Sequence, residues 1–594
     1  MSIAAQMRMT LLGPLDQKAA IVEALQRLGV AHLIAPPGAH PEVTGTAAGV
    51  RRLRQARDYL QGATHRRRLF RPRQPVDIEA LVERVLANRR ARGEVIDRIE
   101  ALKQHYRALR PWGDFHYPAL SELDGYRLWF YRLPLHEVDP FKDLRLPWAR
   151  VSTDHRYQYL IVIAEDEAAL QEIPFPRSHT GGQSLSQVRE QLDIQEARLE
   201  EIEIERVTLT RWIYSFDQGL AALADSTDLR EALDWCEGDR EFFSLRCWVP
   251  ADRVEQLQPL RDLGAAWSLE PATGADNPPT LLRNRRPFDS GSDLIGFFQV
   301  PGYHSLDASA AMFLSFSLFF AVILADAGYA AVVGVVLWPL RQRLGRRLRQ
   351  LGVAMVAAGI GYGVLVGSYF GLTPAPQSLP GQLRVLDIND FDSMIKLSIT
   401  VGVSHLLLAH CMRLWHLRSS LAALGPLGWM LVISGGFLAW WIYIGAVTGE
   451  AAVTAATAAV VFGALGILLF SNPVAVTDWR TLLQRLGAGF TGLYGISRAF
   501  SDILSYIRLF ALGLASASLA VTFNQLAATA QQTWPGYGLL LAFLVLLIGH
   551  GLNFILAIMG GVIHSLRLNL LEFNNWAVEG EGYPFRFFNK REES

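Results

Sequence analysis

Apolar residues recur along this chain in two rhythms, and the change falls near residue 300. Beyond it, runs of membrane-spanning length follow one another at 309–340, 350–372, 393–415, 424–447 and 451–471, then a weaker one from about 487 to 528, then 536–571. Before it, apolar positions are spaced three and four apart among charges. Over 76–110 they are Ile78, Leu81, Val85, Val95, Ile99, Leu102, Tyr106 and Leu109, with Asn88 and Arg92 interrupting the seam. Over 185–213 they are Leu185, Val188, Leu192, Leu199, Ile202, Leu209 and Ile213. Two heptad-bearing segments of similar length, far apart in sequence, predict an antiparallel coiled coil. Between them "YRLWFYRL" and "YQYLIVIAE" read as strands among Pro and Gly breaks.

The expected fold is therefore an α-helical membrane protein of about eight transmembrane helices, the last two long and tilted, with an N-terminal cytoplasmic α/β plus antiparallel coiled-coil arm. Residues 1–300 are expected to form the arm: a proximal α/β lobe from 1–40 and 230–285, a coiled coil from 45–112 and 184–225, and a distal α/β lobe over 113–183. Residues 301–594 are expected to form the transmembrane domain.

Charge turns seven apolar runs into eight spans. The loop "RQRLGRRLRQ" at 341–350 is intensely basic, which predicts a cytoplasmic position on the side of the charged N-terminal half. The run 309–340 then crosses twice or not at all. Asp326, Ala327 and Gly328 interrupt it at its middle, so a hairpin of two short helices is expected, with one long tilted helix as the alternative. The remaining loops alternate consistently, and both termini fall in the cytoplasm.

Composition excludes more than it identifies. Acidic and basic residues balance at 56 each, an average over two unlike halves. The N-terminus lacks the apolar core of a signal peptide. Three cysteines, Cys236, Cys247 and Cys411, form no CxxC pair, so neither a disulfide framework nor a zinc site is expected. No G-x-x-x-x-G-K-[ST], G-x-S-x-G or H-E-x-x-H occurs, so any ATP chemistry belongs to another chain. No cofactor, metal or nucleic-acid partner is expected.

Two polar stripes carry the chemistry. In the last apolar run His550, Asn553, Ala557, Gly560, His564, Arg567, Leu571 and Asn574 alternate by three and four, which predicts one helix face. In the preceding run Ser501, Ser505, Arg508, Ala511, Ala515, Ser518 and Thr522 do the same. Helix packing accounts for the small residues, and could account for His564. It does not account for Arg508 and Arg567. An arginine near the bilayer centre costs about 2.5–3.5 kcal/mol on insertion scales, and arginine cannot shed its proton to ease burial. The two helices would run antiparallel, with lengths that permit similar depth for both arginines.

"SDILSYIRLFALGLA" and "HSLRLNLLEF", followed by "EGEGYPF", resemble the membrane subunit of V-type and archaeal-type rotary ATPases, called subunit a or subunit I. "PGYHSLDASAAMF", "DAGYA" and "GSYFG" match further family segments in order, so the likeness covers the whole membrane half. The resemblance implies a stator subunit facing a rotating ring of c proteolipid subunits. The N-terminal arm would join peripheral-stalk subunits of the E/G type, with a central-stalk d/C-type subunit nearby and the catalytic A and B subunits coupled indirectly. The chain would be non-catalytic for ATP itself but part of an ATP-driven ion-translocating complex, in the plasma (inner) membrane if prokaryotic. It implies that Arg508 and Arg567 are the essential membrane arginines, with His564 and Glu572 near the proton route. Ser505, Asp502, Asn553 and His550 are further channel candidates. Two positions depart from eukaryotic relatives: Ser516 stands where they usually carry His, and Ala557 where they usually carry a membrane Glu. The ion is taken as H⁺, with Na⁺ left open because the ring supplies the binding carboxylate. A guanidinium about 4 Å from that carboxylate, at an effective dielectric near 20, offers roughly 4 kcal/mol, or about three pKa units.

The alternative is a secondary transporter or channel with a regulatory coiled-coil arm. It requires internal repeats with paired Gly/Pro-broken helices, and none is visible between the halves of the membrane region. A membrane-anchored scaffold without transport leaves both arginines unexplained.

Overall fold

The computed structural model describes residues 3–36, 46–68, 70, 76–116, 118, 121–135, 146–166, 175, 177–178, 182–274, 276–297, 299–471, 478–534, 536–578 and 580–591. The chain divides into two compact units. One comprises Lys18–Gly29, Ala35–Glu237 and Asn589–Ser594, and the other Met1–Gln17, Val30–Ile34 and Gly238–Phe588.

The first unit holds helices α1 (Lys18–Leu28), α2 (Thr46–Gln61), α3 (Ile78–Leu109), α4 (Leu185–Leu209) and α5 (Ile213–Asp234). The coil start expected at residue 45 lies outside the described residues. Asp77 caps α3 by accepting from the amides of Glu79 and Ala80, and Ser184 and Gln187 form a capping box on α4. The heptad residues Val85, Val95, Ile99, Leu102 and Leu109 are buried. Ion pairs Arg84–Glu205, Arg92–Glu203 and Lys103–Glu196 run in opposite sequence order, so α3 and α4 pack antiparallel. A three-stranded antiparallel sheet, Arg127–Pro134 beside Tyr157–Ala164 beside Trp148–Thr153, lies between them in sequence. Trp112 packs edge-on against Phe130 and Tyr159 of that sheet.

Asn88, the interruption of the α3 seam, is buried and fully engaged. Its Nδ2 donates to the Ile202 carbonyl at 3.1 Å and to Glu205 Oε2 at 2.9 Å, while Tyr59 Oη of α2 donates to its Oδ1 at 2.8 Å. The Asn88 and Arg84 hydrogen bonds hold the Glu205 carboxyl below its ordinary range. A polar side chain at a core position fixes register at some cost in stability. Asn88→Leu is expected to keep the helix content but lower in-register cross-linking of an added Lys103→Cys/Glu196→Cys pair by about twofold or more. Equal cross-linking would remove the register role.

The second unit begins with an antiparallel sheet ordered His32–Leu33, Phe242–Pro250, Gln6–Pro14, Ala266–Pro271. "ADRVEQLQPLRDLG" follows as 3₁₀ turns over Ala251–Leu263, because Pro259 has no amide to continue an α-helix, and Gly264 closes them at φ +78°.

The helices of this unit are α6 (Asp289–Gly296), α7 (Ser309–Leu324), α8 (Ala327–Leu340), α9 (Arg346–Val366), α10 (Phe391–Leu417), α11 (Leu424–Tyr443), α12 (Glu450–Phe470), α13 (Trp479–Ser505), α14 (Ile507–Thr533) and α15 (Gly538–Arg567). Among the described residues, six helical segments are long and apolar enough to cross a membrane, α13 and α14 counting as one of them, and α7 and α8 are shorter apolar helices. Together these make the eight expected, and the protein is a membrane protein.

The run 309–340 is two helices. Ala325 takes a left-handed φ of +49° and Asp326 is extended, so the chain breaks there. Leu351 of α9 meets Phe313 and Phe316 while the carbonyl of Arg347 accepts from Ser290 Oγ, so α7 runs parallel to α9. Gly352 meets Leu337 and Gly363 meets Ala327, so α8 runs antiparallel to it. The chain therefore reverses at Ala325–Asp326. Backbone freed by a break inside a membrane needs protein partners. Asp326 supplies them: Oδ1 accepts from the Tyr329 amide at 2.9 Å, and Oδ2 from Ser368 Oγ at 2.7 Å and the Gly371 amide at 3.0 Å. A Cβ on Gly363 would lie 2.2 Å from the Ala327 nitrogen, so only glycine admits this approach.

Candidate functional site

Arg508 sits two residues beyond a break. The weak run expected over about 487 to 528 is two helices, α13 and α14, interrupted at Tyr506. The Tyr506 side chain is fully buried, and its Oη meets His405 Nδ1 of α10 at 2.8 Å. A Cβ on Gly402 would come 2.8 Å from the Tyr506 ring, so α10 clamps the break closely. His405 in turn stacks on Phe573, with ring centres 4.2 Å apart and planes 8° from parallel. These contacts set the start of α14 and hence the root of the Arg508 side chain. Arg508 itself is half-buried, and its Nη1 is buried with no hydrogen-bond partner among the described residues.

The stripe expected on the last helix is partly broken. Buried positions of α15 are Gly538, Ala542, Gly549, Asn553, Ala557, Gly561 and Ser565, while His550, Gly560 and His564 flank that face, half-exposed. Leu571 does not share it: it is 41% exposed, whereas Asn574 is buried. The reason is a π-helical turn over Leu568–Phe573, which inserts one residue into the spacing. In an α-helix, residues five apart point about 140° away from each other. The wider π turn brings them onto one side. Glu572 thereby returns to Arg567, with Oε1 3.8 Å from Nε; the Arg567 side chain is 52% exposed and that of Glu572 only 5%.

Helices α14 and α15 pack antiparallel. A Cβ on Gly549 would lie 2.3 Å from the Phe523 ring, and Asn553 Nδ2 donates to the Ser516 carbonyl at 2.8 Å. Extended along both helices, this register puts Arg508 level with the turn Gly561–His564 and Arg567 about one turn, roughly 5 Å, farther on. His564 is near enough to both guanidiniums to feel their charge, as is Glu572. Asp502 joins the same end, accepting from Trp576 Nε1 at 2.8 Å and lying 3.8 Å from Arg498 Nε. Ser505 is the half-buried last residue of α13.

His550 and Asn553 belong to a second cluster. Tyr329 Oη meets His550 Nδ1 at 2.7 Å and accepts from Asn553 Nδ2 at 3.0 Å, and His550 Nε2 meets Asn524 Oδ1 at 3.0 Å. Eleven residues separate Asn553 from His564, about 16 Å along the helix. Ala557 lies between them, packed among Phe320, Leu324 and Tyr329, and the Ser516 hydroxyl is buried. Several groups of the site escape stripe reasoning: Tyr506, His405, Tyr329 and Trp576. Three of these lie on other helices or at a helix break, where a one-helix periodicity has no view of them. His405 carried a signal of its own, as an ionisable side chain within an apolar span. Among the described residues, no three His, Cys, Asp or Glu side chains group closely enough to hold a metal ion.

The outward faces complete the picture. Ala511, Ala515, Ser518 and Thr522 of α14 are exposed, as are Leu552, Leu556, Met559, Ile563 and Arg567 of α15. Fold and site together define a polytopic helical membrane protein whose last two long helices each bring one arginine to a shared, partly uncovered edge.

Comparison with known proteins gives that class relatives. No family model matches the chain. It is 25% identical to V-type ATP synthase subunit I of Chlamydia pneumoniae, over 87% of this chain and 86% of that one. It is 31% identical to V-type ATP synthase subunit I 1 of Treponema pallidum over 50% of each chain, and 27% identical to A-type ATP synthase subunit I of Methanocaldococcus jannaschii over 60% of this chain and 56% of that one. A solved cytoplasmic N-terminal domain of subunit I, homolog of subunit a, of V-ATPase is matched over 44% of this chain at 12% identity and a TM-score of 0.24. The chain is thus similar, over most of its length, to subunit I of the V- and A-type ATP synthases.

Proposed function

We propose that this chain is the ion-translocating stator subunit of a V/A-type rotary ATPase. Its α14–α15 edge faces a ring of c proteolipid subunits, and its N-terminal half links to peripheral-stalk subunits of the E/G type. A d/C-type central-stalk subunit is a further partner, and the catalytic A and B subunits act on it indirectly. Both termini lie in the cytoplasm, and the ion is H⁺. The observation that carries this reading is the pair Arg508 and Arg567 on adjacent antiparallel helices, one turn apart in depth, beside an uncovered strip of small residues. Small residues let a partner helix approach closely, and a permanent charge there serves a carboxylate carried past on that partner.

Two polar clusters separated by about 16 Å suit two aqueous half-paths. One holds His550, Asn553, Asn524 and Tyr329; the other holds Arg508, His564, Arg567, Glu572 and Asp502. In the second cluster Arg508 Nη1, His564 Nδ1 and Glu572 Oε2 are buried without a partner among the described residues. An unpaired buried polar group costs about 1–3 kcal/mol, more when charged, so such groups suit water and a passing carboxylate. A guanidinium about 4 Å away favours the ionised carboxylate by roughly 4 kcal/mol at an effective dielectric of 20, which ejects its proton at the stator.

Under mild detergent the chain is expected to copurify with a c-ring and stalk proteins, and purified alone it is expected neither to bind nor to hydrolyse ATP. A measurable ATPase rate from the isolated polypeptide, or substrate uptake by it in vesicles, would favour the transporter reading.

A further inference from the structure

Trp338 and Trp415 are exposed tryptophans near helix ends, at 67% and 70%. Each has an arginine three residues later stacked over its ring. Arg341 Cζ lies 4.1 Å from the Trp338 ring centre and Arg418 Cζ 4.6 Å from that of Trp415. The two pairs close α8 and α10. They lie at one membrane boundary, because both helix ends are tied to the segment that precedes α7. Arg347, which opens α9 just after the α8 end, pairs with Asp289 at 3.1 Å and Asp293 at 2.7 Å on α6. His416 Nε2 at the end of α10 meets the His304 carbonyl at 3.0 Å.

Charge at this boundary is unbalanced. Arg347 is neutralised by its two aspartates. Arg341, Arg343, Arg346, Arg349 and Arg418 are exposed and have no carboxylate partner among the described residues. A guanidinium held over an indole keeps its planar donor fork directed outward, and that fork matches phosphate oxygens bidentately. Tryptophan itself prefers the headgroup level of a bilayer.

We propose that this boundary is a binding surface for anionic phospholipid headgroups, with Trp338–Arg341 and Trp415–Arg418 as paired clamps around the basic turn 341–349. The indoles set the depth at which the protein meets the leaflet, and the arginines take the phosphates. This surface is separate from the arginine edge of α14 and α15.

The test uses the full chain in nanodiscs of phosphatidylglycerol and phosphatidylcholine in equal amounts, with retained lipid counted by native mass spectrometry after a detergent wash. The wild-type chain is expected to retain phosphatidylglycerol in preference. Each arginine near an anionic surface contributes about a fivefold preference, so W338L/R341Q combined with W415L/R418Q is expected to lower the ratio by that factor for each arginine removed. R343Q/R349Q alters no packed side chain and is expected to lower it comparably. Arg384, paired with Asp387 in the loop after the far end of α9, serves as control, and R384Q is expected to change nothing. An unchanged ratio in the loop variant, or an equal drop in R384Q, would overturn the proposal. Displacement of the lipid by inorganic phosphate at equal phosphate concentration would assign the surface to free phosphate and overturn the headgroup assignment.

Discussion

Arg508→Ala is expected to abolish ATP-driven ion pumping by the reconstituted complex while assembly persists. The side chain is half-buried and carries no protein hydrogen bond at Nη1, so truncation removes a charge and leaves the packing of α14 almost intact. What holds this region in place lies elsewhere: Tyr506 on His405, His405 on Phe573, and Asn553 on the Ser516 carbonyl. Losing roughly 4 kcal/mol of attraction for a carboxylate at about 4 Å removes what drives off the proton and lets it leak past the stator. Arg508→Lys is expected to be nearly as damaging, because a desolvated lysine can lose its proton and lacks the planar fork. Arg567→Ala is expected to be milder, since Arg567 is half-exposed and already shares its charge with Glu572. The measurement is proton uptake by vesicles containing complexes matched for subunit content. Full pumping by both alanine variants would return the arginines to a packing role.

Asp326→Ala is expected to act through folding. The carboxylate accepts three hydrogen bonds, from the Tyr329 amide, Ser368 Oγ and the Gly371 amide, and is itself only 3% exposed. Alanine strands three donors at the point where the chain reverses. At about 1–3 kcal/mol for each unsatisfied donor, the loss is roughly 3 kcal/mol or more, enough to remove most of the folded membrane half. Asp326→Asn retains an acceptor for the Tyr329 amide and is expected to cost less. Thermal unfolding of the purified chain, followed by monodisperse yield, separates the two. A fully stable Asp326→Ala chain that fails only in transport would make this carboxylate a proton carrier and remove its structural role.

Much of the helical architecture was legible because apolar run length is a strong local signal in a membrane. A chain with no water to satisfy its backbone has helices and closed barrels as its only spanning forms. The interruption at Asp326, Ala327 and Gly328 already located the reversal to within a residue or two, and the structure adds why it is tolerated there. The stripe on α15 was legible only in part: Asn553 and Ala557 are buried, His550, Gly560 and His564 flank them, and Arg567 is exposed, and past Arg567 the spacing changes because a π turn is a one-residue change in phase that no hydrophobic pattern announces. Leu571 moved out, and Glu572 moved in.

By itself the sequence determined that the protein has a charged half and a membrane half, that the last two spans each carry one arginine, and that those arginines need an explanation other than packing. These follow from composition and spacing along one helix, where the physics is local. The tertiary structure alone decided which polar groups meet. It joined Tyr329 of α8 to His550 and Asn553 of α15, Tyr506 to His405, and Trp576 to Asp502. It also set Arg508 and Arg567 one turn apart, through the Phe523–Gly549 contact and the hydrogen bond from Asn553 to the Ser516 carbonyl. Those pairings bring together residues from 26 to 224 positions apart, apart from the π turn itself, and they are fixed by how closely neighbouring helices approach. That approach depends on where two different helices both carry small residues, a property of the pair that neither segment states alone.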